Sequence, residues 1–233
     1  NSYWLAEELT AVTKELFTTF KYGYYSPVSL GFTSNTWSTI WNGIHQCYMF
    51  QESLKQVSNE YVTDEMKKQY LAESNFLIAY YHFLSMRSYG PTMIIRSVID
   101  LETPISGFPE RSSIDEVVAF INEKLDEAMS EGGLPTTWSG KDYGRATRLA
   151  ALALKSRVYL YAASPLYNGN TEMYADFRSP LDGRQLIAQE KSQAKWEISA
   201  TQTKYAIDEV EKAKFHLYHD ADAGEPSDAK PGL

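Results

Sequence analysis

Residues 145–168 read RATRLAALALKSRVYLYAASPLYN, and this stretch decides the fold class. From Arg145 to Ala163 the composition is rich in leucine and alanine, which favours a helix and lets neighbouring helices approach closely. Ser164-Pro165 ends this helix, because the residue before a proline is pushed out of the helical conformation. The stretch therefore predicts one long helix that is packed against others.

The helical period continues on both sides of this stretch. Between Ser113 and about Met129, apolar residues recur every three or four positions and form one stripe. Ser113 and Glu116 have the spacing of a capping box at the start, and Gly132-Gly133 stops the helix. Four further helices are predicted, at about 4–20, 36–53, 64–87 and 194–214.

Strand signals are few, and Met93-Ile94-Ile95 predicts at most a brief extended segment. The sequence therefore predicts an all-α fold, with paired helices and irregular loops in a tetratricopeptide-like α-α superhelix. The spacing from Ser113 to Arg145 is near the repeat length of about 34 residues, although the repeat's signature positions do not recur cleanly. We expect residues 1–233 to form a single helical region, with residues 224–233 as a flexible tail.

Composition narrows the classes of partner. The formal net charge is −8, so the chain as a whole repels nucleic-acid phosphates and anionic membrane surfaces. The one cysteine, Cys47, excludes an internal disulfide framework and any multi-thiol metal site. Aromatic residues make up 14% of the chain, with 17 tyrosines, so rings must either fill the core or line a surface that binds flat apolar faces such as those of sugars.

Several segments in chain order resemble the helix motifs of one family. They are Trp37-xxx-Trp41-xx-Ile44, Glu73 to Phe83 followed by Tyr89-Gly90-Pro91, Arg111-Ser112-Ser113, Gly144-Arg145-Ala146-Thr147, and Leu160 to Asn168. Together they resemble the SusD-like (RagB/SusD) family, and the last segment is the most specific of them. Ile78 and Tyr48 stand where the family usually has Arg and Asn, and we expect both to be structural positions.

The resemblance implies a binding protein rather than an enzyme. Proteins of this family are lipoproteins on the outer face of the outer membrane of Bacteroidetes-type bacteria, where they bind oligosaccharides or polysaccharides and deliver them to a SusC-like TonB-dependent transporter. Family members are considerably longer, so we expect this chain to be a segment of a longer protein. The N-terminal cysteine that carries the lipid anchor is not in this chain.

A tyrosine-rich stretch is the best candidate for contacting a sugar. Tyr22, Tyr24 and Tyr25 lie beside Gly23 and Pro27, a composition typical of a loop, and three such rings cannot all enter a helix core. Asn35 follows as an amide that could bond sugar hydroxyls. We predict that these four residues bind carbohydrate, although a loop packed on the core would also explain them.

Other aromatic and histidine clusters fit structural roles better. Trp37 and Trp41 share an apolar stripe, so we expect them in the core, and the loop from Trp138 to Tyr143 is a second, weaker sugar candidate beside a scaffold motif. His216 and His219 have a spacing that could share a metal ion, but they lie where the helix runs into an acidic tail, so we predict no metal site.

Two other functions remain open. A helical-repeat adaptor would bind a protein or peptide in its grooves, and an α-helical glycoside hydrolase would use a pair of carboxylates whose separation sequence spacing does not reveal. The chain has no Gly-x-Ser-x-Gly elbow, P-loop, dinucleotide fingerprint or His-Glu-x-x-His motif, so we predict no catalytic residues and no cofactor.

Overall fold

The computed structural model describes residues 31–100 and 102–216, and within these ranges the protein is built of helices. The α-helices are α1 (Gly31–Gln56), α2 (Asp64–Tyr89), α3 (Ile114–Ala128), α4 (Arg148–Ala163), α5 (Thr171–Tyr174) and α6 (Gln193–Lys212). The strands β1 (Thr92–Met93) and β2 (Arg111–Ser112) form one short antiparallel pair, and 3-10 turns lie at Ile105–Gly107 and Gly140–Asp142. The all-α prediction is confirmed.

Neighbouring helices pack in chain order, as the predicted superhelix requires. Helix α1 packs on α2, α2 on α3 and α3 on α4, and α6 then packs on α4. The pair β1 and β2 sits between α2 and α3, with Thr92 opposite Ser112, so the predicted extended segment exists but is only two residues long on each side.

The helix starts follow from capping side chains. At α3 the Ser113 hydroxyl accepts the Glu116 N–H at 3.3 Å, while the Glu116 carboxylate accepts the Ser113 N–H at 2.7 Å, which confirms the predicted capping box. Thr63 and Thr147 cap α2 and α4 through their hydroxyls, which accept the Met66 N–H and the Ala150 N–H. Because Thr147 is the cap, α4 begins at Arg148, and the prediction of a start at Arg145 was wrong by three residues.

Two groups of buried side chains form the core. The first core lies between α2, α3 and α4 and includes Phe83, Met86, Ile121, Leu125 and Val158. The second core lies between α1, α2 and the segment after β1 and includes Ile40, Ile44, Ile78, Ile95 and Phe120. Helix α2 is the central element, because it contributes side chains to both cores.

A close approach joins α1 to α2 at Gly43. A Cβ atom on Gly43 would lie 2.6 Å from Cζ of Tyr81, so the absence of a side chain lets the tyrosine ring rest against the helix backbone. One face of α2 is partly open to solvent. Leu77 and Tyr80 are each 39% exposed, because no described helix covers the side of α2 on which they lie.

Candidate functional site

Most of the predicted sugar-binding residues lie outside the described part of the chain. Tyr22, Tyr24 and Tyr25 precede residue 31, and so do the predicted opening helix and its loop. Asn35 lies in α1, but its side chain is also outside the description. Their role therefore stays a prediction, and the site is built here from the residues of α1 that directly follow them.

Three rings meet at the start of α1. Trp37 lies edge-on to Trp41 with ring centroids 5.3 Å apart, and edge-on to Tyr89 at the end of α2 with centroids 4.9 Å apart. Edge-to-face pairs of this kind stabilise by about 0.5–1.5 kcal/mol beyond the area they bury. Trp37 and Trp41 are both half-buried. Trp41 packs against the second core, as predicted, whereas Trp37 packs on the rings of Trp41 and Tyr89.

The Trp37 cavity lies beside these rings, between the first half of α1 and residues 93–108, and has a volume of about 500 Å³. Its aromatic walls are Trp37, Trp41 and Phe108, and aliphatic side chains of α1 and of the 93–99 segment complete them. Polar groups are few and come from Asn42, His45, Ser97 and Asp100. Aromatic walls with a few convergent polar groups are typical of ligand sites.

One wall of the Trp37 cavity carries a hydrogen-bond donor that is not used. The indole Nε1 of Trp41 is buried and has no hydrogen-bond partner in the part of the chain that the structure describes. A buried donor without a partner costs roughly 1–3 kcal/mol.

His82 supports the back of the Trp37 cavity from the second core. Its Nδ1–H donates to the Ile78 carbonyl at 2.8 Å, and its Nε2 accepts the Ile95 N–H at 3.4 Å. Burial lowers the pKa of His82 to about 4, although the bond to Ile78 opposes this shift. A neutral ring is therefore held in one tautomer and fixes Ile95, which lines the cavity.

Tyr48 holds the backbone carbonyl of Ile95, the residue whose N–H His82 accepts. Its hydroxyl donates to the Ile95 carbonyl at 2.7 Å, and burial raises the pKa of the phenol well above its usual value. Ile78, the other departure from the family pattern, is fully buried in the second core. Both positions are structural, as predicted.

The second ring-bearing loop lies far from the Trp37 cavity. Trp138 and Arg145 belong to a loop that rests on Tyr70 and Glu73, near the start of α2, whereas Trp37 contacts Tyr89 at its end. The Trp138 loop and the Trp37 cavity therefore lie near different ends of α2.

Other predicted roles can be placed as well. Tyr167 and Asn168 are buried in a turn that is hydrogen-bonded to the rest of the fold, so their role is structural. Cys47 is buried, and burial raises the pKa of its thiol. His216 is exposed and His219 lies outside the described residues. Within residues 31–100 and 102–216, no three His, Cys, Asp or Glu side chains cluster in a way that could hold a metal ion.

The comparisons with known proteins identify the family. Residues 10–160 match a protein family described as starch-binding and associating with the outer membrane, the SusD-like family. The chain belongs to this family. None of the described helices is long and apolar enough to cross a membrane.

Solved structures of SusD-like proteins resemble the chain. BT4246 is 35% identical with a TM-score of 0.73, and the match covers 80% of this chain and 32% of that one. A SusD-like protein (BF3747) from Bacteroides fragilis is 25% identical with a TM-score of 0.50, over 67% of this chain and 32% of that one.

A SusD superfamily protein from Parabacteroides distasonis shares the fold at 22% identity and a TM-score of 0.61, over 89% of this chain and 37% of that one. The chain thus spans about a third of the length of these structures. No curated protein sequence matches it.

Proposed function

We propose that this protein binds oligosaccharides or polysaccharides at the outer face of the outer membrane, without cleaving them, and delivers them to a SusC-like TonB-dependent transporter. The observation that carries the proposal is the Trp37 cavity, which lies at the start of the helix that the tyrosine-rich stretch leads into. Membership of a family described as starch-binding supports a carbohydrate as the ligand.

The chemistry of capture follows from the residues. Tyr22, Tyr24 and Tyr25 offer rings for the apolar faces of sugar units, and Asn35 offers an amide for their hydroxyls. Trp37, Trp41 and Phe108 of the Trp37 cavity would stack on a sugar unit, and Asn42, His45, Ser97 and Asp100 offer polar groups for its hydroxyls. These contacts are individually weak, so binding is reversible and breaks no covalent bond.

Affinity electrophoresis tests the proposal. The protein is run in native gels that contain starch, laminarin, xylan or mannan, and retardation by at least one of them is expected. Replacement of Tyr24 by alanine and of Trp37 by alanine should each weaken binding by about tenfold. Tyr61→Ala is the matched control, because Tyr61 is 78% exposed in the α1–α2 connection and does not line the Trp37 cavity. No retardation by any of the four glycans would contradict the proposal.

The non-catalytic part needs its own measurement. The protein is incubated with the glycan that retards it, and reducing ends are counted over time. We expect no increase above the glycan alone. A release of reducing sugar that depends on protein concentration would instead favour the glycoside hydrolase alternative.

Delivery to the transporter is tested by co-purification. The family's association with the outer membrane supports a membrane-bound partner, and an N-terminal lipid anchor outside this chain would hold the protein there. A tagged protein should co-purify with a SusC-like transporter from detergent-solubilised outer membranes. Recovery of the protein without the transporter, under conditions that preserve other outer-membrane complexes, would count against delivery.

One observation favours the adaptor as a second candidate. Leu77 and Tyr80 are exposed on α2, and Phe76 lies parallel to Tyr80 with ring centroids 6.4 Å apart. An apolar strip of this kind on a helix suits a protein partner. If Leu77→Asp abolishes recovery of the transporter while glycan binding is retained, the strip is a docking surface in addition to the glycan site.

A further inference from the structure

A second cavity, of about 450 Å³, lies between residues 136–147 and the end of α6. Its rings are Trp138 and Tyr143 of the loop and Phe215 after α6, and its hydroxyls come from Thr136 and Thr137. We call it the Trp138 cavity. It is separated from the Trp37 cavity by the length of α2 between Glu73 and Tyr89, on the order of 25 Å at about 1.5 Å per residue.

We infer that the Trp138 cavity is a second carbohydrate-binding site, which takes neutral sugar units of the same glycan that the first site binds. The inference rests on the proposed function, since it assigns the same class of ligand to a second place on the molecule. Three features of the loop support the inference. The loop is rigid, it exposes a ring and hydroxyl groups, and its charges are already paired.

The loop is held rigid by Arg145. Its guanidinium stacks over the ring of Trp138 at 4.3 Å and lies 5.5 Å from the ring of Tyr70, and it forms ion pairs of 2.6 Å with Glu73 and 2.9 Å with Asp142. Cation–π contacts and paired charges of this kind fix the loop to α2. A ligand that binds here therefore does not have to order the loop, which lowers the cost of binding.

Trp138 is fixed from its edge as well. Its indole N–H donates to the Ala146 carbonyl at 2.7 Å, so the ring is oriented from within the loop itself. It has no free donor, and what it offers to a ligand is apolar surface. An oriented aromatic surface suits the C–H face of a sugar ring.

The side chains beside the Trp138 ring are free to bind a ligand. Tyr143 is 86% exposed, the largest exposed fraction among the large hydrophobic side chains that the structure describes. Thr136 and Thr137 are also exposed, and neither side chain makes a hydrogen bond within the described residues. A ring flanked by two free hydroxyls offers both contacts that a sugar unit needs, stacking for its apolar face and bonding for its hydroxyls.

The charges favour a neutral ligand. Glu73 and Asp142 face the Arg145 guanidinium and pair with it, so this cation is not available to a phosphate, sulfate or uronate group. An anionic ligand would in addition meet the field of these two carboxylates and of a chain with a net charge of −8. Neutral sugar units meet neither penalty.

Two sites on one molecule make binding depend on the length of the glycan chain. A glycan long enough to reach both cavities binds the second one intramolecularly, which raises affinity by about 100-fold over a single site. A short oligosaccharide cannot span them and would occupy the two cavities independently. The difference between short and long ligands is the signature that separates two sites from one.

Isothermal titration calorimetry tests the inference with Tyr143→Ala and Thr137→Val, using Tyr61→Ala as the exposed-tyrosine control. The probes are the glycan that retards the protein in native gels and its di- or trisaccharide. We expect the short probe to bind twice per wild-type molecule and once per Tyr143→Ala molecule. Affinity for the polymer should fall at least about tenfold in the same variant.

Each other outcome decides against the second site. If Tyr143→Ala and Tyr61→Ala give the same stoichiometry and affinity as the wild type, the Trp138 cavity is not a glycan site, while the first site stands. If the wild type binds no glycan, the proposed function fails, and the second site falls with it. Because Tyr143 is exposed, its replacement does not disturb folding, which the unchanged unfolding midpoint of the variant would verify.

Discussion

Both polar atoms of the Asn168 side-chain amide form hydrogen bonds with the backbone of Ser192. Its Oδ1 accepts the Ser192 N–H at 2.8 Å, and its Nδ2 donates to the Ser192 carbonyl at 2.9 Å and to the Ala163 carbonyl at 3.2 Å. Asn168 is buried, and Ser192 is the residue before α6. One side chain thus fastens the end of α4 to the start of α6.

Replacement of Asn168 by aspartate should destabilise the fold strongly. The carboxylate keeps the acceptor for the Ser192 N–H but turns the donor into an oxygen that faces two carbonyls, and a buried charge then lacks a partner. We expect a loss of about 3 kcal/mol in the free energy of unfolding, measured in urea.

Asn170→Asp is the matched control. The Asn170 side chain accepts the Met173 N–H at 3.0 Å as the cap of α5, and aspartate caps equally well. Equal stability losses in both variants would show that the Asn168 bonds do not stabilise the junction between α4 and α6.

Gly169, beside this junction, should also be sensitive to substitution. Gly169 has φ +81°, and a Cβ atom there would lie 2.5 Å from the backbone nitrogen of Lys191. Gly169→Ala therefore combines left-handed strain with a clash against backbone, so we expect a lower free energy of unfolding by about 3 kcal/mol or more. The free energy of unfolding of Gly169→Ala is measured by thermal or urea unfolding.

Gly183 separates the two causes. It has φ +72° but open space around the Cβ position, so Gly183→Ala should cost only the left-handed strain, about 1 kcal/mol. If both alanine variants lose the same stability, the approach of Lys191 to Gly169 does not contribute.

These residues show how far sequence reasoning reaches. The Ser164-Pro165 stop predicted the end of α4, because local rules fix helix ends. That Asn168 bonds Ser192 could not be predicted, since the two are brought together only by the packing of α6 on α4.

Prediction of the candidate site from sequence is limited in the same way. The periodicity of α1 put Trp37 and Trp41 on one stripe but could not show where the core beneath that stripe ends. Trp41 packs against it, whereas Trp37 packs on the rings of Trp41 and Tyr89, beside a cavity whose far wall comes from residues 93–108. A stripe of rings is therefore predictable, whereas a cavity between distant segments is not.

Stability should depend on pH through His82. Its pKa is lowered from 6.5 to about 4 in the folded protein, first by burial, with Arg96 and Lys124 adding to the effect. The unfolded state therefore binds more protons between these two values, so the contribution of the neutral ring is complete above pH 6.5 and is lost as the pH falls towards 4. The full loss is about 3 kcal/mol.

The measurement is the free energy of unfolding in urea at several pH values between 4 and 7.5, for the wild type and His82→Gln. The variant cannot titrate at this position, so the difference between the two proteins should shrink as the pH falls. His216→Gln serves as the control for loss of a histidine at an exposed position beyond α6. A constant difference between wild type and His82→Gln would contradict the prediction.

Arg145→Lys should loosen the loop over α2 and, with it, the second cavity. A lysine ammonium cannot stack flat on Trp138, nor can it reach both Glu73 and Asp142 with a planar fork, so we expect a loss of about 1–2 kcal/mol in the free energy of unfolding. Affinity for the polymeric glycan should fall as well, because the loop must then be ordered on binding. Arg157→Lys is the control, since Arg157 is exposed on α4. A stability loss without any change in glycan affinity would mean that Arg145 holds the fold but does not position Trp138 and Tyr143 for a ligand.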